Sequence, residues 1–143
     1  MENIEHIGQF ITNHWQLWLA LIVMLLLIFI NELVSQKKRG KELSPADAIE
    51  LINHEEASVF DLRDAEAFRT GHVIDAIRTS ADDFSLPRME KFKTKPIILV
   101  CARGLQSATL AATLRKEGYN QPMVLAGGVT AWTAAGLPLV KGK

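Results

Sequence analysis

The sequence predicts an α/β fold, a mainly parallel sheet flanked by helices on both faces, preceded by one transmembrane helix. Three observations carry this expectation. The run LWLALIVMLLLIFI over residues 17–30 is unbroken apolar sequence. After it, short β-branched runs alternate with helical patterns, the order expected of strands joined by crossover helices. One of those runs, Ile97-Ile98-Leu99-Val100, is wholly apolar and leads directly into Cys101, the chain's single cysteine. An all-apolar strand belongs in a sheet covered on both faces.

The elements follow in order. Extending the apolar run to residues 15–34 gives about 20 residues, or about 30 Å of helix, enough to cross a bilayer. Trp15 and Trp18 stand at one end, as an interfacial aromatic belt would. Lys37, Lys38, Arg39 and Lys41 stand at the other, whereas residues 1–14 hold no lysine or arginine. The positive-inside rule then puts the N-terminus outside and the C-terminal part in the cytoplasm. A cleaved signal peptide would need a basic start and a small-residue cleavage site, and neither is present. The expected organisation is a short external segment over 1–14, a span over 15–34, a basic linker over 35–42 and a soluble domain over 43–143.

Within that domain Ser44-Pro45-Ala46-Asp47 starts a helix, with Ser44 as cap, proline at the first helical position and an acid at the third. Strands are expected over 58–62, 76–79, 97–100 and 122–125. Short helices are expected over 65–69 and 129–134, a helical turn over 88–92 and a longer helix over 107–116 closed by Gly118. Gly127-Gly128 reads as a turn, because the G-x-G-x-x-G spacing of a phosphate loop is absent.

Composition narrows the function. With 16 basic and 16 acidic side chains among 143 residues the formal charge is zero, which gives no electrostatic footprint for nucleic acid. One cysteine cannot form an internal disulfide or a multi-cysteine metal site, and His6, His14, His54 and His72 lack the spacing of paired zinc ligands. No metal and no cofactor is therefore expected.

Cys101 falls at the C-terminal end of a strand, where parallel sheets bind ligands. The loop after it opens a helix, so free N–H groups and a positive dipole end converge there and favour an anion such as a thiolate. Local pattern alone leaves two readings open: a reactive thiol, or a small buried apolar residue.

The soluble part resembles a single-domain rhodanese. The residues that carry the resemblance are Asp61-Leu62-Arg63 with Phe68, Gly71-His72-Val73, the loop from Cys101 to Ser107, and Leu125-Ala126-Gly127-Gly128-Val129 with Trp132 and Gly136-Leu137-Pro138. With its apolar segment, the chain looks like the membrane-tethered rhodaneses of the Gram-negative inner membrane.

The resemblance implies sulfurtransferase chemistry. Cys101 would attack a small sulfur donor such as thiosulfate, carry a persulfide, and pass the sulfur to a thiophilic acceptor, either a small molecule or a protein thiol. Ala102, Arg103, Gly104, Leu105, Gln106 and Ser107 would form the binding loop. Their N–H groups would steady the sulfur, Arg103 would attract the anionic donor, and Ser107 would add a hydroxyl at the helix start. Asp61, Arg63 and His72 would be structural, and Trp132 a core anchor. Many family members carry arginine just before the serine, where this chain has Gln106, which puts thiosulfate as the physiological donor in question. A cysteine phosphatase would need arginine six residues after the cysteine, to fork onto phosphate oxygens, and that residue is Ser107. The alternative of another class is a membrane-tethered interaction module, with other membrane proteins bound through the span.

Overall fold

In the computed structural model, which describes residues 2–38 and 41–142 (side chains of 7–35 and 41–142), the chain divides after Lys38 into two units. The first is helical: α1 (Glu2–Asn13) and α2 (Trp15–Lys38). Within α2, Trp15–Ser35 is long and apolar enough to cross a membrane, with a mean hydropathy of 2.6 over its most apolar window. Residues 1–14, expected only as a short external segment, contain α1. Its apolar residues Ile7, Phe10 and Ile11 recur at helical spacing and are exposed, and the Phe10 ring lies 4.7 Å from that of His14.

The linker expected over 35–42 is largely regular structure instead. Helix α2 continues to Lys38, and strand β1 (Lys41–Leu43) follows; Arg39, Gly40 and the side chains of 36–38 lie outside the described residues. Lys41-Glu42-Leu43 has no strand pattern of its own. Pairing makes it a strand: Lys41, Glu42 and Leu43 lie beside Met123, Val124 and Leu125 of a distant segment, and Leu43 is buried there.

The second unit is a five-stranded sheet of order β1-β5-β4-β2-β3, and every pairing is parallel. Its other strands are β2 (Ser58–Asp61), β3 (Ile77–Arg78), β4 (Pro96–Val100) and β5 (Gln121–Leu125). The helices are α3 (Pro45–His54), α4 (Ala65–Thr70), α5 (Leu105–Lys116) and α6 (Gly128–Ala134). A capping box starts α3: Asp47 N–H donates to Ser44 Oγ at 3.2 Å while the Asp47 carboxylate accepts from Ser44 N–H at 3.3 Å.

Alternation along β4 divides the core. Ile97 and Leu99 pack with Phe60, Phe84, Leu110 and Leu114 on the α5 face. Ile98 and Val100 pack with Val59, Ala48, Val129 and Trp132 on the face of α3 and α6. Two 3₁₀ turns, Asp82–Ser85 and Pro87–Phe92, carry the chain from β3 to β4. Only the second matches the turn expected over 88–92.

Candidate active site

Strand β3 lies on one side of β2 and β4 on the other, so the chain reverses its travel across the sheet between β2 and β4. Loops leaving such adjacent strands diverge and open a crevice at their C-terminal ends. Cys101 follows β4 there. The neighbouring Leu62 follows β2, and its N–H donates to the Val100 carbonyl at 2.8 Å.

The loop after Cys101 is shorter than expected, because α5 begins at Leu105 rather than at 107. Leu105 and Gln106 are thus helical, and Ser107 sits inside the first turn instead of at the start. Gly104 occupies the cap position with φ of +90°, and a Cβ there would come within 3.1 Å of Gly127 N. This turn brings the Gly104 N–H to 3.1 Å from Cys101 Sγ, to which it donates.

Two influences compete for the Cys101 proton. Burial pushes the thiol up, but the Ser107 hydroxyl and the N–H groups of Ser107, Gly104 and Arg103 outweigh it and hold the pKa below that of an ordinary thiol. The Ser107 Oγ is buried and has no hydrogen-bond partner of standard geometry among the described residues. A buried hydroxyl without a partner is costly; here it lies close enough to the sulfur to favour the charged form. Ser107→Ala is therefore expected to raise the pH at which Cys101 becomes reactive, measured as the inflection of its alkylation rate against pH. In the unmodified protein that inflection is expected below the free-cysteine value, with reactivity rising with pH through it.

The remaining loop residues differ in exposure. Ala102 and Arg103 are exposed, Gly104 is half-buried, and Leu105 is 79% exposed despite being apolar. Gln106 is exposed and lines a groove beside α5. The amides of Arg103, Gly104 and Ser107 act on the sulfur, a subset of the expected 102–107 set.

A second loop, read from the sequence only as a turn, supports the first. Val129 N–H donates to the Cys101 carbonyl at 2.9 Å, and Thr130 donates to the Ala102 carbonyl through both its N–H, at 3.2 Å, and its hydroxyl, at 3.0 Å. Gly128 lies directly beneath, where a Cβ would stand 2.1 Å from the Cys101 carbonyl oxygen. The glycine pair in the sequence signalled the turn; what it touches was not readable.

Asp61, Arg63 and His72 form a brace next to the loop. Asp61 is fully buried and pairs in register with Val100. Its carboxylate accepts Arg63 Nε at 3.0 Å and Nη2 at 2.8 Å, and Nη2 also donates to the Gly71 carbonyl at 2.6 Å. The His72 ring stacks on Phe68, with centroids 3.8 Å apart, and its Nδ1–H donates to the Phe68 carbonyl at 2.7 Å. Its backbone exchanges hydrogen bonds with Val140. These contacts tie β2, α4 and the C-terminal segment together; they do not place the imidazole as a base for the thiol. Arg63→Ala is expected to cost about 3 kcal/mol, because it strands a buried carboxylate, and denaturant unfolding measures that loss. Trp132 is buried in the α6 face and donates from Nε1 to the Pro138 carbonyl at 3.0 Å.

The arrangement holds one sulfur of lowered pKa, buried at the C-terminal end of β4 and bonded by a loop amide, two residues before an exposed arginine. Among the described residues no group of three or more His, Cys, Asp or Glu side chains could hold a metal ion.

Comparison with known proteins agrees with this geometry. Residues 44–135 match the model of the rhodanese-like domain. The chain is 35% identical over 143 residues to the YibN protein of Escherichia coli K12, covering 98% of this chain and all of that one. It is 34% identical to the thiosulfate sulfurtransferase GlpE of Pseudoalteromonas translucida, over 66% of this chain and 90% of that one. The crystal structure of a rhodanese-related protein from Thermoplasma volcanium superposes with a TM-score of 0.62 at 24% identity, covering 71% of this chain and 99% of that one. With the family model spanning most of the sheet-bearing unit, the chain belongs to the rhodanese family.

Proposed function

We propose that this protein is a membrane-anchored sulfurtransferase that accepts a sulfane sulfur on Cys101 and passes it to a thiophilic acceptor. The observation that carries the reading is the loop around the sulfur: a thiol of lowered pKa that accepts the Gly104 N–H at 3.1 Å. In the first step the Cys101 thiolate attacks the outer sulfur of a donor such as thiosulfate; the new S–S bond forms as the donor's breaks, and sulfite leaves with the electron pair. The terminal sulfur then carries the charge, and the amides and the Ser107 hydroxyl that favour the thiolate are suited to stabilise it. Arg103, exposed and without an ion pair among the described residues, supplies the cation that gathers the anionic donor. In the second step an acceptor takes that sulfur and Cys101 returns to thiolate.

The anchor belongs to the same proposal. Trp15–Ser35 has the length and apolarity of a span, and the basic residues beyond it, with none over 1–14, support a topology with the sulfur-handling unit at the cytoplasmic face of the bacterial inner membrane and the N-terminus periplasmic. The test is intact mass of the full chain after incubation with thiosulfate. A gain of one sulfur atom, removed by cyanide, is the expected result; an unchanged mass with both thiosulfate and polysulfide overturns the proposal.

A further inference from the structure

A groove of about 450 Å³ runs along α5 from the sulfur-bearing loop. It starts at Gln106, in the loop's helical turn, and at Leu62, whose N–H bonds the residue before Cys101. From there it follows one face of α5, through Thr109 and Thr113 to Glu117, over a floor that includes Leu110 and Leu114. The opposite wall is the 3₁₀ turn after β3, with Asp82 and Ser85. That turn is held in place by Asp83, whose carboxylate accepts the Ser80 N–H at 2.8 Å and the Ser80 hydroxyl at 2.9 Å.

The charges of the groove oppose those of the loop. Its ionisable lining side chains are Asp82 and Glu117, both exposed and neither in an ion pair among the described residues. Lys93 is the cation whose charge Glu117 influences, and it is already bonded to Glu90 at 2.9 Å. Arg103 does not line the groove. An anionic donor is thus drawn to the loop, while the groove beside it has an apolar floor, hydroxyl-bearing walls and two carboxylates. Leu105, 79% exposed at the groove's head, and Leu86, 41% exposed beside Ser85, add apolar surface on which a chain could rest.

Resting on the sulfur-transfer reading, the geometry points to a protein acceptor: a segment whose cysteine is accompanied by lysine or arginine, with the aliphatic stem laid on the leucine floor and the charge set against Asp82 or Glu117. The reach from Gln106 to Glu117 is about 16 Å along the helix, which an extended peptide covers in about five residues. The basic side chain therefore falls within that distance of the cysteine. In transfer, the acceptor thiolate attacks the terminal sulfur of the Cys101 persulfide. Its new S–S bond forms as the Cys101 S–S bond breaks, and the electron pair returns to the Cys101 sulfur.

The experiment uses the full chain in neutral detergent, loaded with sulfur, and two cysteine peptides that differ only in lysine or glutamate at the flanking positions. Transfer to the lysine peptide is expected to be about five- to tenfold faster, a preference that falls with added salt and collapses in the Asp82→Asn, Glu117→Gln double variant. Transfer to cyanide should not change in that variant, since cyanide is too small to use the groove. Equal rates for the two peptides, a faster glutamate peptide, or a preference that survives the double substitution overturns the inference and leaves sulfur transfer intact. A chain that takes up no sulfur from thiosulfate or polysulfide overturns both.

Discussion

Cys101→Ser is expected to take up no sulfur at all, with transfer from thiosulfate to cyanide reduced by about 10³-fold or more. The chemistry needs a group that is both ionised near neutral pH and strongly nucleophilic, and a serine hydroxyl in the same loop is neither. The donors that favour charge at this point, the Gly104 N–H and the Ser107 hydroxyl among them, cannot compensate for the much higher pKa of an alcohol. The fold should survive, because the two side chains are similar in size and the loop amides still meet an acceptor. Unfolding by denaturant should change by about 1 kcal/mol or less. Intact mass and thiocyanate formation measure the first effect, and an unfolding curve measures the second. A serine variant that still gains sulfur would move the reaction away from this loop.

The second large effect is expected at a residue that carries no chemistry. Gly128→Ala places a methyl group 2.1 Å from the Cys101 carbonyl oxygen and 2.7 Å from the carbonyl carbon and oxygen of Ala102. These are backbone atoms with their own bonds to Val129 and Thr130, so no flexible side chain can give way. Gly128 also has φ of +59°, which adds conformational cost for alanine. Together these should cost about 4 kcal/mol or force the cysteine loop away from α6. In either case sulfur uptake falls, and the pH at which Cys101 is alkylated rises as the Gly104 and Ser107 donors lose their alignment. Gly118→Ala is the matched control. Its φ is +97° but a Cβ there meets nothing within 4 Å, so only the backbone cost of about 1–2 kcal/mol applies and sulfur uptake is retained.

The contrast between these two glycines shows where reading the sequence stops. Both look like turn residues in the chain; Gly118 is one, and Gly128 opens α6 with a left-handed φ. Only the position of the Cys101–Ala102 peptide, 26 residues earlier in sequence, makes one of them indispensable. The same holds for β1. Lys41-Glu42-Leu43 reads as part of a charged linker, and it is a strand because β5 offers it an unpaired edge. The start of α5 belongs to this group as well. Helical pattern put it at 107, whereas the left-handed turn at Gly104 allows two further residues to join and carries Ser107 beneath the sulfur.

Patterns set by neighbouring residues were legible in the amino-acid sequence alone. The apolar run that forms α2, the Ser44–Asp47 capping box, the wholly apolar β4 and the cysteine at its end are each contained in a few consecutive positions, where period, cap chemistry and hydrophobicity act directly on the local backbone. From these followed the parallel α/β frame and the candidate nucleophile. The tertiary structure decided the rest: the orphaned Ser107 hydroxyl near the sulfur, the support of the loop by Gly128 and Thr130, the His72 ring stacked on Phe68 and bonded to its carbonyl, and the acidic groove along α5. Each depends on close approach between segments far apart in the chain, and distances of that kind are set by packing of the whole sheet and its helices, which no local pattern contains.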